Sequence, residues 1–272
     1  RAQLEAALRH ATGALGAPGG ARAAALELRG TARWRLLAAL PPGAFDSTGA
    51  TQAEADLRAA VAGDSTRASA LATLSQLVRW RGDESDADLL ARQALEADAY
   101  LDAAGVILEQ LWRSALARGA YGEAERWCAR GRAAIPTEWR FAECALTILS
   151  TAPDRGTPVQ AWRWVEALER LDPPSVATAA GRSYAPLYRR ARAALVSAAA
   201  GQRGTAAAVL ARVLADAAPD PEARVYVQFD AALLEAALGD RDGARRRLAA
   251  YLRAQPEARE VVARHPLVHR YG

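Results

Sequence analysis

Three amino acids are missing from this chain of 272 residues: methionine, lysine and asparagine. All 35 basic residues are therefore arginine, a bias typical of a GC-rich, bacterial coding sequence and not of a particular function. Because the chain opens with Arg1 in a helical pattern and not with methionine, we expect a processed chain or a fragment of a longer protein. The hydrophobic fraction of 51% is enough for a packed core and argues against a disordered chain.

Long apolar runs are also missing, so we expect no helix that inserts into a membrane. No signal peptide is visible, which favours the cytoplasm and leaves a periplasmic or extracellular location open if a signal was removed. The formal charge of +4 comes from 35 basic and 31 acidic residues that are interspersed. The densest cluster, Arg245–Arg247, follows Asp240 and Asp242 and is interpreted as a solvated helix face. We therefore expect no nucleic-acid partner, since such partners require a basic patch or stripe.

Residues for metal binding and catalysis are scarce. The chain has three histidines, and only His265 and His269 have the spacing of a metal pair, with Pro266 between them arguing against a regular helix. No phosphate-binding glycine loop, nucleophile elbow or HExxH motif occurs. The sequence therefore predicts no enzyme, no catalytic residue, no metal site and no cofactor.

The two cysteines, Cys128 and Cys144, do not have the spacing of a metal site. Both fall on apolar helix positions, so two buried thiols are the favoured interpretation. A disulfide between neighbouring helices is the alternative, and it would imply an oxidising compartment.

A repeat organises most of the chain. Five glycines recur at intervals of 37, 37, 45 and 38 residues: Gly82, Gly119, Gly156, Gly201 and Gly239. Five residues after each glycine stands an alanine: Ala87, Ala124, Ala161, Ala206 and Ala244. In four of the five units a proline follows the glycine after 17 or 18 residues: Pro136, Pro173, Pro219 and Pro256. The first unit has Ala99 at that place.

Each position of the repeat has a physical role in a helical hairpin. The glycine ends the first helix in a left-handed conformation, and the alanine marks the close approach of the second helix. The proline ends the unit because it cannot continue a helix. Asp220 before Pro221 is a helix cap, and Thr137-Glu138 offers a similar start.

Units such as 108–136 and 229–256 resemble tetratricopeptide repeats, which are helix-turn-helix units of about 34 residues. The resemblance covers residues 68–256 and implies an all-α, right-handed solenoid of about five to six hairpins. Within a single solenoid over 1–272 we expect degenerate helices in 1–63, five repeats in 64–256 and a capping segment in 257–272. The expected helices outside the repeats are 2–11, 22–40, 51–62 and 257–264, with a joint at 16–20.

The resemblance implies that the first helix of each hairpin lines a concave groove for a protein or peptide. The residues mapped to this groove are Gln76, Arg79, Trp80, Glu109, Arg113, Leu116, Glu143, Tyr188, Arg192, Tyr226, Phe229 and Leu233. Family members that clamp chaperone carboxylates use Lys and Asn, which this chain lacks, so a groove of arginine and aromatic residues is expected instead. Six tryptophans between residues 80 and 164 either fill gaps between helices or anchor a partner side chain.

A non-catalytic protein–protein interaction scaffold is the leading hypothesis, as part of a larger assembly or a longer polypeptide. A regulatory or sensor domain of a bacterial transcription activator or Ser/Thr kinase is one alternative. An extracytoplasmic protein that decorates an envelope or filament is another, and it predicts a Cys128–Cys144 bond. An all-α enzyme with an unrecognised site is disfavoured by the missing acid–base residues. Self-association stays open.

Overall fold

The structure is a computed structural model that describes residues 1–16, 18–41, 46–98, 100–171 and 184–271. Every regular element in these ranges is a helix, and no strand occurs in them. The chain divides into two compact units, residues 1–114 and residues 115–272. Among the described residues, no helix has the length and apolar character needed to cross a membrane.

Unit 1 contains two helical hairpins preceded by a helix. The elements are α1 (Ala2–Gly13), α2 (Gly20–Ala38), α3 (Ser47–Gly63), α4 (Ala68–Trp80), α5 (Glu84–Ala97) and α6 (Ala104–Ala117), which runs into unit 2. Helix α2 pairs with α3 and α4 pairs with α5, while α1 packs against α2. The first helices α2 and α4 also contact each other, as do α3 and α4.

Unit 2 repeats the same arrangement. Its helices are α7 (Tyr121–Ala134), α8 (Trp139–Thr151), α9 (Pro158–Leu171), α10 (Ala185–Ala199), α11 (Arg203–Ala217), α12 (Pro221–Tyr226), α13 (Gln228–Leu238), α14 (Arg241–Ala254), α15 (Arg259–Ala263) and α16 (Pro266–Tyr271). Hairpins form from α8 with α9, α10 with α11, and α13 with α14. The first helices α8, α10 and α13 pack side by side in that order, which is how stacked hairpins bury a continuous core.

The glycines of the repeat end helices as predicted at four of five positions. Gly82, Gly119, Gly201 and Gly239 have positive φ angles, a conformation in which a Cβ atom is disfavoured. Gly156 is different, because it has an extended backbone with φ −146° after a 3₁₀ turn at Pro153–Arg155. It is close to α8, since a Cβ on Gly156 would collide with the side chain of Leu149.

The alanines of the repeat are all buried, which confirms that they mark the close approach of the second helix to the first. Their exposed fractions lie between 0% and 8%: Ala87, Ala124, Ala161, Ala206 and Ala244. Gly131 of α7 lies so close to Phe141 that a Cβ atom would overlap the phenyl ring. Small residues therefore set the distance between the helices.

The prolines and caps agree with the pattern in part. Asp220 caps α12 through hydrogen bonds that its carboxylate accepts from the amides of Glu222 and Ala223, at 2.9 and 3.2 Å. Pro266 was expected to argue against a regular helix, and it instead starts α16, because proline is compatible with the first turn of a helix. Ala99, Pro173, the Pro42-Gly43 part of the first loop and Ala17 of the expected joint lie outside the described residues.

Cys128 of α7 and Cys144 of α8 form a disulfide, with their Cα atoms 6.1 Å apart. The favoured interpretation of two separate thiols is therefore wrong, although both residues are buried as expected. Since α7 and α8 are packed against each other, two apolar positions 16 residues apart in sequence lie face to face.

Candidate partner-binding surface

The residues that the sequence assigns to a groove all lie on α4, α6, α8, α10, α12 and α13. Helices α4, α8, α10 and α13 contain eight of them, and each of these is the first helix of a hairpin. The surroundings of these residues differ between the two units.

Unit 1 has an open groove between α2 and α4, which residues 101–103 close at one side. Its volume is about 620 Å³, and Leu28, Thr31 and Trp34 of α2 form one wall. Ala72 and Gln76 of α4 lie across from them. The Leu28 side chain is 46% exposed, although leucine is usually buried. We call this feature the α2–α4 groove.

Helix α2 was not among the elements to which the sequence assigned groove residues. The signal was present, because residues 24, 28, 31, 35 and 38 follow helical spacing and all five line the groove. The glycine–alanine repeat starts only at Gly82, so it does not identify α2 as the first helix of a hairpin.

The three predicted residues of α4 have different environments. Gln76 lines the α2–α4 groove. Trp80 is half-exposed and its ring centroid lies 6.2 Å from that of Trp34, which places it beside the same groove. Arg79 turns to α5 instead, where it donates to the buried carboxylate of Asp88 at 2.6 Å and also pairs with Glu84.

Of the three predicted residues of α6, Arg113 is exposed, whereas Glu109 is partly buried. Glu109 and Arg113 pair with each other one turn apart, at 2.9 Å. The Arg113 guanidinium also lies 4.8 Å from the ring of the buried Trp112. Leu116 is partly buried.

In unit 2 the predicted charges form an internal network across three first helices. Arg189 of α10 donates to Glu143 of α8 at 2.6 Å, and Arg192 donates to the same carboxylate at 3.0 Å. Arg192 also donates to Asp230 of α13 at 2.9 Å. Burial lowers the pKa of Arg192, but Asp230 and Glu143 raise it by more, so it lies above its ordinary value. We call these four residues the buried charge network.

Tyr188 lies against this network, with its ring centroid 4.7 Å from the Arg192 guanidinium. Burial, followed by the negative charge of Glu143, raises the pKa of Tyr188 to about 12. Its hydroxyl group is therefore protonated at neutral pH. Glu143 and Tyr188 both contact Arg192, so a partner that bound these side chains would compete with contacts inside the network.

The C-terminal segment covers the remaining part of this surface. His265 lies edge-on to Phe229, with centroids 5.1 Å apart, and Tyr251 lies on the same ring at 5.8 Å. Leu233 is buried, and the space left between α8, α10, α13 and His265 is only about 30 Å³. Tyr226 is 40% exposed and its ring is stacked on Tyr184 at 4.1 Å. Tyr226 is thus the predicted unit 2 residue with the most accessible side chain.

No group of three or more His, Cys, Asp or Glu side chains suited to a metal ion occurs among the described residues. His265 faces Phe229, and its Nδ1 accepts a hydrogen bond from the Leu267 amide at 3.3 Å. This atom is therefore occupied by a contact that orders the start of α16.

Comparison with known proteins supports the fold. No protein-family profile and no curated protein sequence matches the chain. A tetratricopeptide repeat protein from Parabacteroides merdae has a TM-score of 0.61 at 13% identity, covering 91% of this chain and 93% of that one. Pseudomonas aeruginosa PilF has a TM-score of 0.50 at 18% identity, covering 85% and 94%.

A third similar structure is the Cut9–Hcn1 hetero-tetramer of the APC/C, with a TM-score of 0.51 at 10% identity. The match covers 98% of this chain and 46% of that one. At these identities the likeness concerns the fold, and it agrees with the stacked hairpins of both units. Over the residues that the structure describes, this chain is an all-α solenoid of tetratricopeptide-like helical hairpins.

Proposed function

We propose that this chain is a protein-interaction scaffold that holds a segment of another polypeptide in the α2–α4 groove. The observation that carries the proposal is the exposure of Leu28 in a groove of about 620 Å³ that is lined by the first helices of two hairpins. Grooves of this kind accept an amphipathic helix or an extended segment whose apolar side chains enter between the helices.

The groove also indicates the chemistry of its partner. Glu27 is neutralised by Arg67 at 2.8 Å, so it offers little to a ligand. Arg35 and Asp102 line the groove and have no oppositely charged partner among the described residues. We therefore expect a segment with apolar side chains flanked by one acidic and one basic residue.

The energy available from this surface is modest. Complete burial of a leucine side chain contributes about 1.5–3 kcal/mol, so covering the exposed half of Leu28 contributes about 1 kcal/mol. Trp34 and Trp80 offer further apolar surface next to it. These contributions fit a reversible interaction whose strength depends on a few central side chains.

The experiment compares two leucines of similar exposure. Leu28 in the groove is 46% exposed and Leu89 on α5 is 51% exposed. The full chain is used to capture partners from native extract, and the bound segment is mapped by cross-linking and synthesised with a fluorescent label. Leu28→Ala should raise the Kd of this peptide about fivefold, as the loss of about 1 kcal/mol implies, while Leu89→Ala should change it less than twofold. Equal Kd values in the two variants would refute the groove as the binding site.

The disulfide favours one further candidate, a scaffold that acts outside the reducing cytoplasm, for example on a cell envelope or filament. Cys128 and Cys144 are bonded, and such bonds persist in oxidising compartments. Alkylation of thiols during lysis of the native organism, followed by mass spectrometry, tests this candidate. An unmodified, bonded pair supports it, and two alkylated cysteines would exclude it.

A further inference from the structure

A second cavity lies in unit 2, between α7 and α9. Helices α7 and α9 each pack against α8, and the space between them has a volume of about 680 Å³. Ile148 and Leu149 of α8 form its apolar floor, and Trp164 of α9 forms part of a wall. This volume is within the range of ligand-binding pockets, about 300–1,000 Å³.

The lining is rich in arginine. It contains Arg132, Arg155, Arg163 and Arg170, together with two glutamates. We call this cavity the arginine pocket. Arg155 is neutralised by Glu125, to which it donates two hydrogen bonds at 3.1 and 3.2 Å.

The other three arginines have no carboxylate partner within the described part of the chain. Arg132 is partly buried, donates one hydrogen bond to the carbonyl oxygen of Phe141 at 3.3 Å, and lies 4.8 Å from the ring of Trp164. Burial lowers the pKa of Arg132, so the guanidinium loses hydration without gaining a negative charge. In contrast, the partly buried arginines of the buried charge network all contact carboxylates.

The pocket is held in shape by covalent and ionic contacts. Cys128 lines the cavity and its disulfide to Cys144 joins α7 to α8. The Arg155–Glu125 pair connects the turn before α9 to α7. A site held in this way loses little conformational freedom when a ligand binds.

We infer that the arginine pocket is a second binding site, and that it takes a carboxylate-rich peptide segment of a partner protein. Guanidinium groups pair with carboxylates in a planar, two-point geometry. Arg132, Arg163 and Arg170, which have no carboxylate partner among the described residues, supply this chemistry. Trp164, Ile148 and Leu149 provide a surface for an apolar or aromatic side chain between the acidic residues. The apolar surface of Ile148 and Leu149 disfavours a nucleic-acid phosphate backbone, which carries charge without apolar side chains.

The arginine pocket shares no lining residue with the α2–α4 groove. The groove belongs to the first helices of unit 1, whereas the pocket is framed by α7 and α9 of unit 2. The scaffold would therefore hold two segments of different character, one amphipathic and one acidic.

The test uses the full chain and a fluorescein-labelled octapeptide of alternating glutamate and phenylalanine, with binding measured by fluorescence anisotropy. Arg163→Glu and Arg170→Glu change exposed side chains of the pocket. Each variant should raise the Kd of the octapeptide at least tenfold. The matched control is Arg126→Glu, an exposed residue of α7 outside the lining, which makes the same change in net charge. It should change the Kd less than twofold, and Leu28→Ala should leave the Kd unchanged.

Equal weakening by the control and the pocket variants would show a general charge effect and overturn the proposal. Equal binding of an octapeptide with glutamine in place of glutamate would also overturn it, because the arginines would then play no part. Stronger competition by a single-stranded oligonucleotide of the same charge would assign the pocket to nucleic acid instead. Circular dichroism of each variant checks that the helices are retained.

Discussion

The ring of Phe141 lies directly over the Cα atom of Gly131, where any side chain would occupy the same space. Gly131 is on α7 and Phe141 is on α8, so this contact sets the distance between the two helices that the disulfide also joins. Arg132, the next residue, donates to the carbonyl oxygen of Phe141 at 3.3 Å. The helix contact therefore also positions a guanidinium of the arginine pocket.

Replacement of Gly131 by alanine should destabilise unit 2, although alanine favours helices. The added methyl group forces the Phe141 ring to move, and overpacking of this kind costs about 1–3 kcal/mol. Gly122→Ala on the same helix is the control, because only the end of the Arg126 side chain lies near its Cβ, at 3.9 Å. The urea midpoint of Gly131→Ala should be lower than that of the wild type, whereas the midpoint of Gly122→Ala should not fall. Equal midpoints would contradict the packing described.

Removal of the Cys128–Cys144 disulfide should also lower the free energy of unfolding. The bond closes a loop of 16 residues, and loops of about 15 residues correspond to about 3 kcal/mol in the chain-entropy model. A Cys128→Ser, Cys144→Ser double variant should therefore unfold at a lower urea concentration than the oxidised protein. The intact mass of the unreduced protein should be about 2 Da below that of the reduced one, because bond formation removes two hydrogens. Two free thiols in the oxidised sample would disprove the bond.

The buried charge network predicts a large effect for Arg192. Arg192→Ala leaves Asp230 without the guanidinium that it accepts from, and loss of one member of a buried pair costs about 3 kcal/mol. Arg212→Ala is the control, because Arg212 forms an exposed pair with Asp216 one turn away. Such a pair contributes less than about 0.5 kcal/mol. Similar urea midpoints for the two variants would show that the network does not stabilise the fold.

His265 predicts a pH dependence of stability. Burial lowers its pKa below the ordinary value of 6.5, Asp230 opposes this shift, and the positive charge of Arg192 adds to it. The folded protein therefore binds the proton less readily than the unfolded chain. The neutral ring stabilises the fold fully above pH 6.5, and this contribution is lost as the pH falls below that value.

The measurement follows the urea midpoint between about pH 5 and pH 7.5 in the wild type and in His265→Gln. The wild type should lose more stability than the variant as the pH falls, because glutamine has no proton to bind. His269→Gln, at an exposed position, should follow the wild-type curve. Parallel curves for wild type and His265→Gln would show that His265 does not control the pH response.

The helices could be predicted from the sequence because their signals are local. A glycine with positive φ and a buried alanine five residues later are consequences of one turn and one helix contact. Gly156 has an extended backbone, so the prediction of a left-handed residue at this position was wrong. The helix that starts at Pro266 was missed because proline was interpreted as a break and not as a first residue.

The candidate site could be predicted only in part, since periodicity gives the helix of a residue and not its contacts. Arg79 and Glu143 lie on first helices as expected, but their partners Asp88 and Arg189 turn them toward the interior. Glu143 and Arg189 are 46 residues apart, and no local pattern connects them. Gln76 lies in the open groove, and its role in partner binding stays a prediction.

Buried carboxylates on the second helices of unit 1 each have their own set of partners. Asp56 of α3 accepts from Arg29 of α2 at 2.8 Å, and Asp88 of α5 accepts from Arg79 within its own hairpin. Asp88 also accepts from Ser114 of α6, the next helix along the chain, at 2.7 Å. The partners of Asp56 and Asp88 therefore differ from one hairpin to the next. These hairpins are alike in shape without being interchangeable, so adding or deleting a whole repeat would require new partners for the acids at the junction.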